Sequence, residues 1–217
     1  MSGNEKIMKM LSALLQGSLT TLEVFLLTLL FSLPLAALIC AGRKSKNVIL
    51  SSIVRFFLMI VRGTPLMLQI ICVYFIPATL FSFKFDRFVA AVTALAINYA
   101  CYFAEIYRAG LEAIPQGQYE ACKVLGYTKV QTFYHIIIPQ VIKRIIPPMG
   151  NEVMTLVKDT ALVKVISVVE LLSLAEKHSN AMVSIIPLFM AGLFYLVMNG
   201  IVSFGFSRLE KKLSYYK

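Results

Sequence analysis

The sequence predicts an all-α membrane protein with about five transmembrane helices in a single domain, residues 1–217. Hydrophobic residues make up 59% of the 217 residues, whereas a soluble globular domain contains about 45–50%. Four long uncharged runs separate the charged segments, and a membrane-spanning helix needs about 20 predominantly apolar residues. At that length per span, the chain accommodates five or six helices joined by short loops.

The uncharged runs locate four of the spans. They cover residues 24–41, 64–83, 88–104 and 179–207. Pro34 is a candidate kink in the first run, and a neighbouring group must then satisfy the carbonyl that it frees. Thr64 and Pro65 fit the N-cap and first helical position of the second span. The third is expected to extend past Glu105, and the last to begin near Pro187.

Two further helices are predicted that hydropathy alone does not identify. The stretch from Pro148 to about Leu174 is expected to form the fourth span, although it contains Glu152, Lys158, Asp159, Lys164 and Glu170. Residues 48–61 are apolar but short and contain Arg55. We interpret them as an interfacial helix or as an extension of the first span.

The placement of lysine and arginine predicts the orientation in the membrane. If the loop that contains Glu120 is cytoplasmic, the inner segments hold Arg43, Lys44, Lys46, Arg55, Arg62, Arg108, Lys123, Lys129, Lys143, Arg144, Arg208, Lys211, Lys212 and Lys217. The outer segments hold only Lys6, Lys9, Lys84, Arg87 and Lys177. Cytoplasmic loops carry an excess of basic residues, so we expect the N-terminus outside and the C-terminus in the cytoplasm.

Several function classes are not supported. The net charge of +10 follows from basic loops between spans, and no aromatic and basic residues interleave as a nucleic-acid surface requires. The four cysteines are far apart, and His135 and His178 lack metal-spaced neighbours. No catalytic constellation and no G-x-x-x-x-G-K-[ST] loop occur. We therefore expect neither an enzyme nor a bound cofactor or metal.

Residues 120–139, EACKVLGYTKVQTFYHIIIP, form a polar island in this apolar chain. Gly126 suits the left-handed position after a helix, and Thr128 to Gln131 has capping-box spacing for a second helix. Pro139 is expected to limit that helix. The island is thus predicted to be a compact helix-turn-helix between spans. It either contacts a partner in water or only packs on its own subunit, and local chemistry favours neither.

The island resembles a known motif. Glu120, Ala121, Gly126, Ile136 and Pro139 match the EAA-x3-G-x9-I-x-L-P motif of permease subunits of bacterial ABC importers. Two positions differ, because Cys122 replaces the second alanine and Ile138 replaces leucine.

Three other segments resemble the polar amino acid permeases among these proteins. They are Arg62-Gly-Thr-Pro-Leu66, residues 102–117 at the end of the third span, and residues 151–162. The resemblance extends from about residue 17 to residue 209.

The resemblance implies the type I ABC importer permease fold, in a bacterial inner membrane and surrounded by lipid. It further implies a homodimer or heterodimer of permeases, two cytosolic ATPase subunits that bind the ATP, and an extracytoplasmic amino-acid-binding protein. The ATPases would dock on a cytoplasmic loop at about residues 110–147. The coupling residues it implies are Glu120, Ala121, Leu125, Gly126, Phe133 and Pro139.

Polar residues inside the spans are the candidate substrate-binding groups, because ionisable groups in a bilayer usually face a cavity or a partner. Helical spacing places several on shared faces that we expect to line one polar chamber: Gln69, Asn98, Tyr102, Glu105, Glu152, Thr155 and Asp159. The candidates for substrate binding are these residues without Glu105, which is expected to pair with Arg108.

The acidic groups of this chamber favour an amino acid with a cationic side chain, although Lys158 would equally suit a carboxylate. An equally weighted alternative is that Glu152, Lys158 and Asp159 form internal ion pairs or hold helices together, since buried polar groups normally pair within the protein. A secondary transporter or channel, in which Glu152 and Asp159 couple ions, is the alternative function. A membrane scaffold without transport is the third.

Overall fold

The computed structural model describes residues 3–213, which contain helices and no β-strand. The elements are α1 (Gly3–Arg43), α2 (Val48–Gly63), α3 (Leu66–Phe81), α4 (Arg87–Glu112), α5 (Gln116–Val124), α6 (Lys129–Gln131), a π-helical turn (Thr132–Ile137), α7 (Ile138–Asp159), a 3₁₀ segment (Thr160–Ile166), α8 (Leu171–Met182) and α9 (Ile186–Leu213). The predicted all-α class is confirmed. The orientation prediction depends in part on residues outside those that the structure describes. These are both chain ends, with Lys217, and the side chain of Lys6.

The helix α4 is the centre of the main core. Its side chains Leu95, Tyr99 and Phe103 are fully buried against residues of α1 and α7, including Val24 and Leu156. The same helix is rich in alanine, and small residues let neighbouring helices approach closely. As a result, 67% of the most apolar 18-residue stretch of α4 is buried within the subunit. For the corresponding stretch of α9 the buried share is 11%.

A second, smaller core joins the N-terminal half of α1 to α8 and α9. Met10 and Leu14 of α1 pack with Leu171 of α8 and Ala191 of α9. With 41 residues at about 1.5 Å each, α1 is about 61 Å long, twice the hydrocarbon thickness of about 30 Å. The helix continues through Pro34, so the first uncharged run is only part of it.

Three described helices, α1, α4 and α9, are long and apolar enough to cross a membrane. A fourth span results if α2 and α3 count as one broken span, although they are bent by 111°. The helix α7 is long enough but too polar to meet the same test. The predicted number of about five spans therefore remains a prediction.

The predicted fourth helix has different bounds. It was expected from Pro148 to about Leu174, but α7 begins at Ile138 and ends at Asp159. The Oγ1 atom of Thr160 donates to the carbonyl of Val157 at 2.6 Å, and the chain tightens into the 3₁₀ segment before α8 starts separately. Equivalent hydroxyl contacts occur inside α1 and α7 without ending them. Val163 and Ile166 of the 3₁₀ segment are buried in the main core, and Ser167 has a left-handed backbone with a φ of +62°, so packing and this turn separate α7 from α8.

A tight corner separates α2 from α3. Thr64 has an extended backbone, and Pro65 occupies the N-cap position of α3 rather than its first helical position. The proline keeps Thr64 out of the helical region, as an N-cap at Thr64 would also require, so the prediction of an extended Thr64 holds and only the helical position of Pro65 differs. The Nε2 atom of Gln69 donates to the carbonyl of Val61 at 2.7 Å and to that of Thr64 at 3.1 Å, which holds the corner closed.

Candidate functional site

The helix-turn-helix segment, residues 116–137, has the glycine turn that the sequence predicted. Gly126 has a φ of +78°, in the left-handed region that glycine adopts at little cost. Its N–H donates to the carbonyl of Lys123 at 3.1 Å, and the N–H of Tyr127 donates to that of Cys122 at 2.9 Å. These two bonds form a Schellman motif, which satisfies the last carbonyls of α5.

The start of the second helix is also capped as predicted. The N–H of Gln131 donates to Oγ1 of Thr128 at 3.2 Å, and the N–H of Thr128 donates to Oε1 of Gln131 at 2.9 Å. This reciprocal pair is a capping box. With both ends of the turn closed by hydrogen bonds, the segment has little freedom to change shape independently.

Pro139 does not limit the second helix, so this prediction was wrong. The residues before it form a π-helical turn, in which the N–H of Ile138 donates to the carbonyl of Phe133. Proline has no N–H and its ring displaces the carbonyl four residues earlier. The wider turn accommodates that ring, and helical structure runs without interruption from Lys129 to Asp159.

The segment presents an apolar outer surface. Val124 and Leu125 are 87% and 73% exposed, and Val130 and Tyr134 are also exposed. An apolar surface of this kind on a polar loop normally marks a contact with a partner. The six predicted coupling residues are all exposed: Glu120, Ala121, Leu125, Gly126, Phe133 and Pro139.

The inner side of the segment is anchored to its neighbours. Ile137 is buried with Ile114 and Val141 in a small apolar cluster between α4 and α7. Cys122 is also buried, so the place of the second motif alanine is occupied by another small side chain that fits there. The segment is therefore packed on the spans on one side and open to water on the other.

A cleft of about 430 Å³ lies between α4 and α7. It brings together residues from three elements: Arg62 of α2, Tyr102, Glu105 and Arg108 of α4, and Arg144 and Glu152 of α7. The guanidinium of Arg62 lies 5.3 Å from the centre of the Tyr102 ring, in a cation–π arrangement. The predicted residues Tyr102 and Glu152 thus line one cleft. The basic residues Arg62, Arg108 and Arg144 line it as well, and the sequence analysis did not place them there.

Glu152 is half-buried in this cleft. Within residues 3–213 it has no ion-pair partner within 4.0 Å, and the same holds for Lys158 and Asp159. These three residues therefore form no ion pair with one another at this distance, and the alternative that they hold helices together stays a prediction. Glu152 has instead an open carboxylate beside positively charged neighbours.

Asp159 is held by a residue that the sequence did not identify. The hydroxyl of Tyr99, which is 2% exposed, donates to Oδ2 of Asp159 at 2.8 Å. Tyr99 lies one helical turn before Tyr102 in the predicted third span. Helical spacing could therefore have marked Tyr99 as a neighbour of the predicted substrate residues. The hydrogen bond fixes the position of a carboxylate at the end of α7.

The remaining predicted residues lie outside the cleft. The Nδ2 atom of Asn98 donates to Oε1 of Gln69 at 2.9 Å, so this pair links α4 to the corner before α3. The Oγ1 atom of Thr155 donates to the carbonyl of Asn151 in its own helix. The predicted substrate residues are therefore arranged in separate groups, and only Tyr102 and Glu152 line the cleft.

Glu105 is the centre of an ion-pair network. It lies 2.8 Å from Arg108, 3.7 Å from Arg62 and 3.9 Å from Arg43. A second carboxylate, Glu112, pairs with Arg108 and lies 3.7 Å from Lys44. The expected pair of Glu105 with Arg108 is thus part of a larger network that ties the ends of α1 and α2 to α4.

Glu170 has a structural role that the sequence did not reveal. Its fully buried carboxylate accepts hydrogen bonds from the N–H groups of Leu172 and Ser173, both at 2.7 Å, and from the hydroxyl of Tyr195 at 3.0 Å. These bonds cap α8 and attach it to α9. Buried charges of this kind require such complete hydrogen bonding.

Comparison with known proteins gives a consistent result. Residues 21–215 match the family model described as binding-protein-dependent transport system inner membrane component. The chain is 31% identical to the putative glutamine transport system permease protein GlnP of Rickettsia typhi and 36% identical to the arginine transport system permease protein ArtQ of Bacillus subtilis, in both cases over 92% of each chain. It is 36% identical to the octopine transport system permease protein OccM of Rhizobium radiobacter, over 91% of this chain and 84% of that protein.

Solved structures agree with the sequence matches. A crystal structure of an amino acid ABC transporter with histidines superposes with a TM-score of 0.87 at 30% identity, over 98% of this chain and 99% of that one. The inward-facing MetNI methionine ABC transporter superposes with a TM-score of 0.73 at 16% identity, over 99% of this chain and 100% of that one. At that identity, the second likeness concerns the fold alone.

Proposed function

Because the chain belongs to the family of binding-protein-dependent transport system inner membrane components, we propose that it is the permease subunit of an ABC importer for a polar amino acid. The observation that carries the proposal is the match over nearly the whole chain to amino acid transport permeases and to an amino acid ABC transporter of known structure. The fold is that of type I ABC importer permeases. The expected resemblance is therefore confirmed.

The exposed surface of residues 116–137 is the proposed docking site for cytosolic ATPase subunits, which would bind the ATP. Two features support this role: the six coupling residues are exposed, and the capped turn is rigid. The second helix of the segment continues through the π-helical turn into α7. A push on the segment by closing ATPases would therefore move α7, which carries Glu152 and Asp159.

The cleft between α4 and α7 is the proposed part of the substrate path. Glu152 lacks an ion-pair partner among residues 3–213 and is suited to bind an ammonium group, while the nearby guanidinium groups suit a carboxylate. The Tyr99 hydrogen bond holds Asp159 as a second acidic group on the same helix. Gln69, Asn98 and Thr155 use hydrogen-bonding groups within the subunit, so they would act by shaping the path or after a conformational change.

A second permease copy is the proposed neighbour of the outer face of α7. Asn151 and Lys158 are exposed on this helix, and a charged side chain in contact with lipid is costly. A partner permease that completes a water-filled path would remove that cost. We further propose an extracytoplasmic binding protein as the source of the amino acid, with the N-terminus outside and the C-terminus in the cytoplasm of a bacterial inner membrane.

The coupling role can be tested by reconstitution with the cognate ATPase and binding protein in liposomes. Replacing Glu120 with alanine together with Gly126 with arginine removes a motif charge and places a large side chain in a left-handed turn. We expect ATP-driven uptake to fall by about tenfold or more, equivalent to about 1.4 kcal/mol in the barrier of the rate-limiting step, while the subunit still folds and purifies. Glu210→Ala, which removes an exposed acidic group of α9, is the control.

Uptake that remains at the wild-type level in the double variant would refute the coupling role. Uptake driven by an ion gradient without the ATPase would instead support a secondary transporter. The family match argues against this second possibility, because it names a transport system that depends on a binding protein.

A further inference from the structure

A second cleft, of about 390 Å³, shares Arg62 and Glu105 with the cleft described above. Its walls come from the ends of α1 and α4 and from one side of α2. The lining residues are Arg43, Arg55, Leu58, Met59, Arg62, Gly63 and Glu105. Three guanidinium groups therefore face a space that contains one carboxylate.

That carboxylate is already shared. Glu105 is within 4.0 Å of Arg43, Arg62 and Arg108, so each of these cations receives only part of its charge. Arg55 has no ion-pair partner within 4.0 Å among residues 3–213. The cleft thus has an uncompensated positive charge, which favours an anion.

The surface of α2 beside the cleft indicates the kind of anion. Arg55 and Arg62 are two helical turns apart and lie on the same side of α2. Leu58 and Val61, on the neighbouring side, are buried in the subunit. The side across from them is apolar and exposed, and it consists of Ile49, Ile53, Phe56 and Ile60.

This three-sided pattern is typical of a helix that lies in the membrane interface. Its apolar side enters the acyl region, and its basic residues remain at the level of the phosphate groups. The alternative, in which α2 crosses the hydrocarbon region along the membrane normal, would place Arg55 in the acyl region at considerable cost. The bend of 111° between α2 and α3 allows α2 to leave the direction of the span that follows.

We propose that this cleft binds the phosphate group of an anionic phospholipid from the cytoplasmic leaflet. Guanidinium groups bind phosphate oxygens through paired hydrogen bonds, and Arg43, Arg55 and Arg62 provide them here. The acyl chains would lie along Ile53, Phe56 and Ile60. A free phosphate ion would use the guanidinium groups but would leave this apolar surface without a ligand.

The proposal goes beyond the transport function, and it uses the predicted orientation only to assign the leaflet. Because Arg62 lines both clefts, a bound lipid would also alter the electrostatic surroundings of Glu152.

The test compares lipid retention by the purified transporter complex in native mass spectrometry. The complex is mixed with equal amounts of phosphatidylglycerol and phosphatidylcholine that have the same acyl chains. We expect the wild type to retain phosphatidylglycerol preferentially and Arg55→Gln to weaken this retention about fivefold, which corresponds to about 1 kcal/mol per basic residue at a membrane surface. Arg208→Gln is the matched control, since Arg208 lies on α9 outside the cleft, and it should retain the lipid like the wild type.

Three outcomes would overturn the proposal. Equal retention of both lipids would show that the cleft does not select an anion. An equal loss in both variants would indicate diffuse attraction by the net charge. Displacement of phosphatidylglycerol by inorganic phosphate would assign the cleft to a free anion. Because lipid retention requires no uptake, a negative result would leave the transport function intact, and a failed coupling experiment would leave the lipid result intact.

Discussion

At the scale of single residues, Glu152 and Asp159 show how two carboxylates on one helix face acquire different surroundings. Asp159 accepts a hydrogen bond from the buried hydroxyl of Tyr99. Glu152 faces the cleft beside Arg62 and has no ion-pair partner within 4.0 Å in residues 3–213. The carboxylate of Glu152 is therefore less engaged by neighbouring groups than that of Asp159.

We predict that Glu152→Gln weakens transport of a cationic amino acid more than that of a neutral one. Loss of one charge-assisted hydrogen bond costs about 1.5–3 kcal/mol, so the KM for arginine or lysine should rise by about tenfold or more in reconstituted transporters. The effect on glutamine should be smaller. Glu176→Gln, at the ion pair with Lys164, provides a control carboxylate outside the cleft. Identical KM values for wild type and Glu152→Gln would exclude this residue as an ammonium partner.

The grouping of the candidate residues could not be derived from spacing alone. Helical periodicity grouped Glu152, Thr155 and Asp159 on one face of a helix, and Asn98, Tyr102 and Glu105 on a face of another. Of these residues, Tyr102, Glu105 and Glu152 line the cleft. Periodicity could not show that Tyr99 reaches Asp159, because the two residues are 60 positions apart. Contacts of this kind depend on how helices cross, and sequence periodicity describes only one helix at a time.

At the scale of elements, local chemistry explains which boundaries were predictable. The cap at Gly126 and the capping box of Thr128 use bonds within five residues, and both predictions are confirmed. The continuation of the helix through Pro139 depends instead on a π-helical turn packed against α4 through Ile137. Tertiary packing therefore decided the continuation of this helix, which the local rule for proline misplaced.

The crossing of α1 and α8 is an element-scale contact that requires glycine. A Cβ atom at Gly17 would lie 2.9 Å from the Cα of Leu171 and 3.0 Å from its nitrogen. Both are backbone atoms, which cannot move aside as a flexible side chain can. The adjacent N–H of Leu171 also donates to Oγ1 of Thr21 at 3.3 Å, so separation of the helices would stretch this hydrogen bond.

We predict that Gly17→Ala lowers the thermal stability of the purified subunit. Overpacking of a close contact costs about 1–3 kcal/mol, whereas alanine otherwise stabilises a helix relative to glycine by about 1 kcal/mol. Gly200→Ala is the matched control, because no heavy atom lies within 4 Å of a Cβ atom there. A thermal shift assay should show a lower midpoint only for Gly17→Ala, and equal midpoints would contradict the close contact.

At the scale of the whole molecule, the Glu105 network joins the ends of α1 and α2 to α4. Arg43 ends α1, Arg62 lies in the last turn of α2, and Glu105 lies in α4. One carboxylate thus offsets the mutual repulsion of cations from three helices. The side chain of Glu105 is only 17% exposed, which reduces screening of its charge by water.

We predict that Glu105→Gln destabilises the subunit more than Glu112→Gln does. The first change leaves Arg43, Arg62 and Arg108 close together without their shared carboxylate, at a cost of about 1–3 kcal/mol. Glu112 also pairs with Arg108, but its side chain is 49% exposed, and exposed pairs contribute about 0–1 kcal/mol. The midpoint of thermal unfolding, measured at low and at high salt, should fall further below the wild-type midpoint for Glu105→Gln than for Glu112→Gln. An equal fall in both variants would contradict the central role of Glu105.

The length of α1 has a mechanical consequence. Its N-terminal half packs on α8 and α9, and its C-terminal end joins the ion pairs around Glu105 and Glu112. For a straight rod of about 61 Å, each degree of tilt about one end displaces the other end by about 1 Å. The contact between Gly17 and α8 lies about 39 Å from Arg43 at about 1.5 Å per residue, so a tilt of one degree about the Arg43 end would shift this contact by about 0.7 Å.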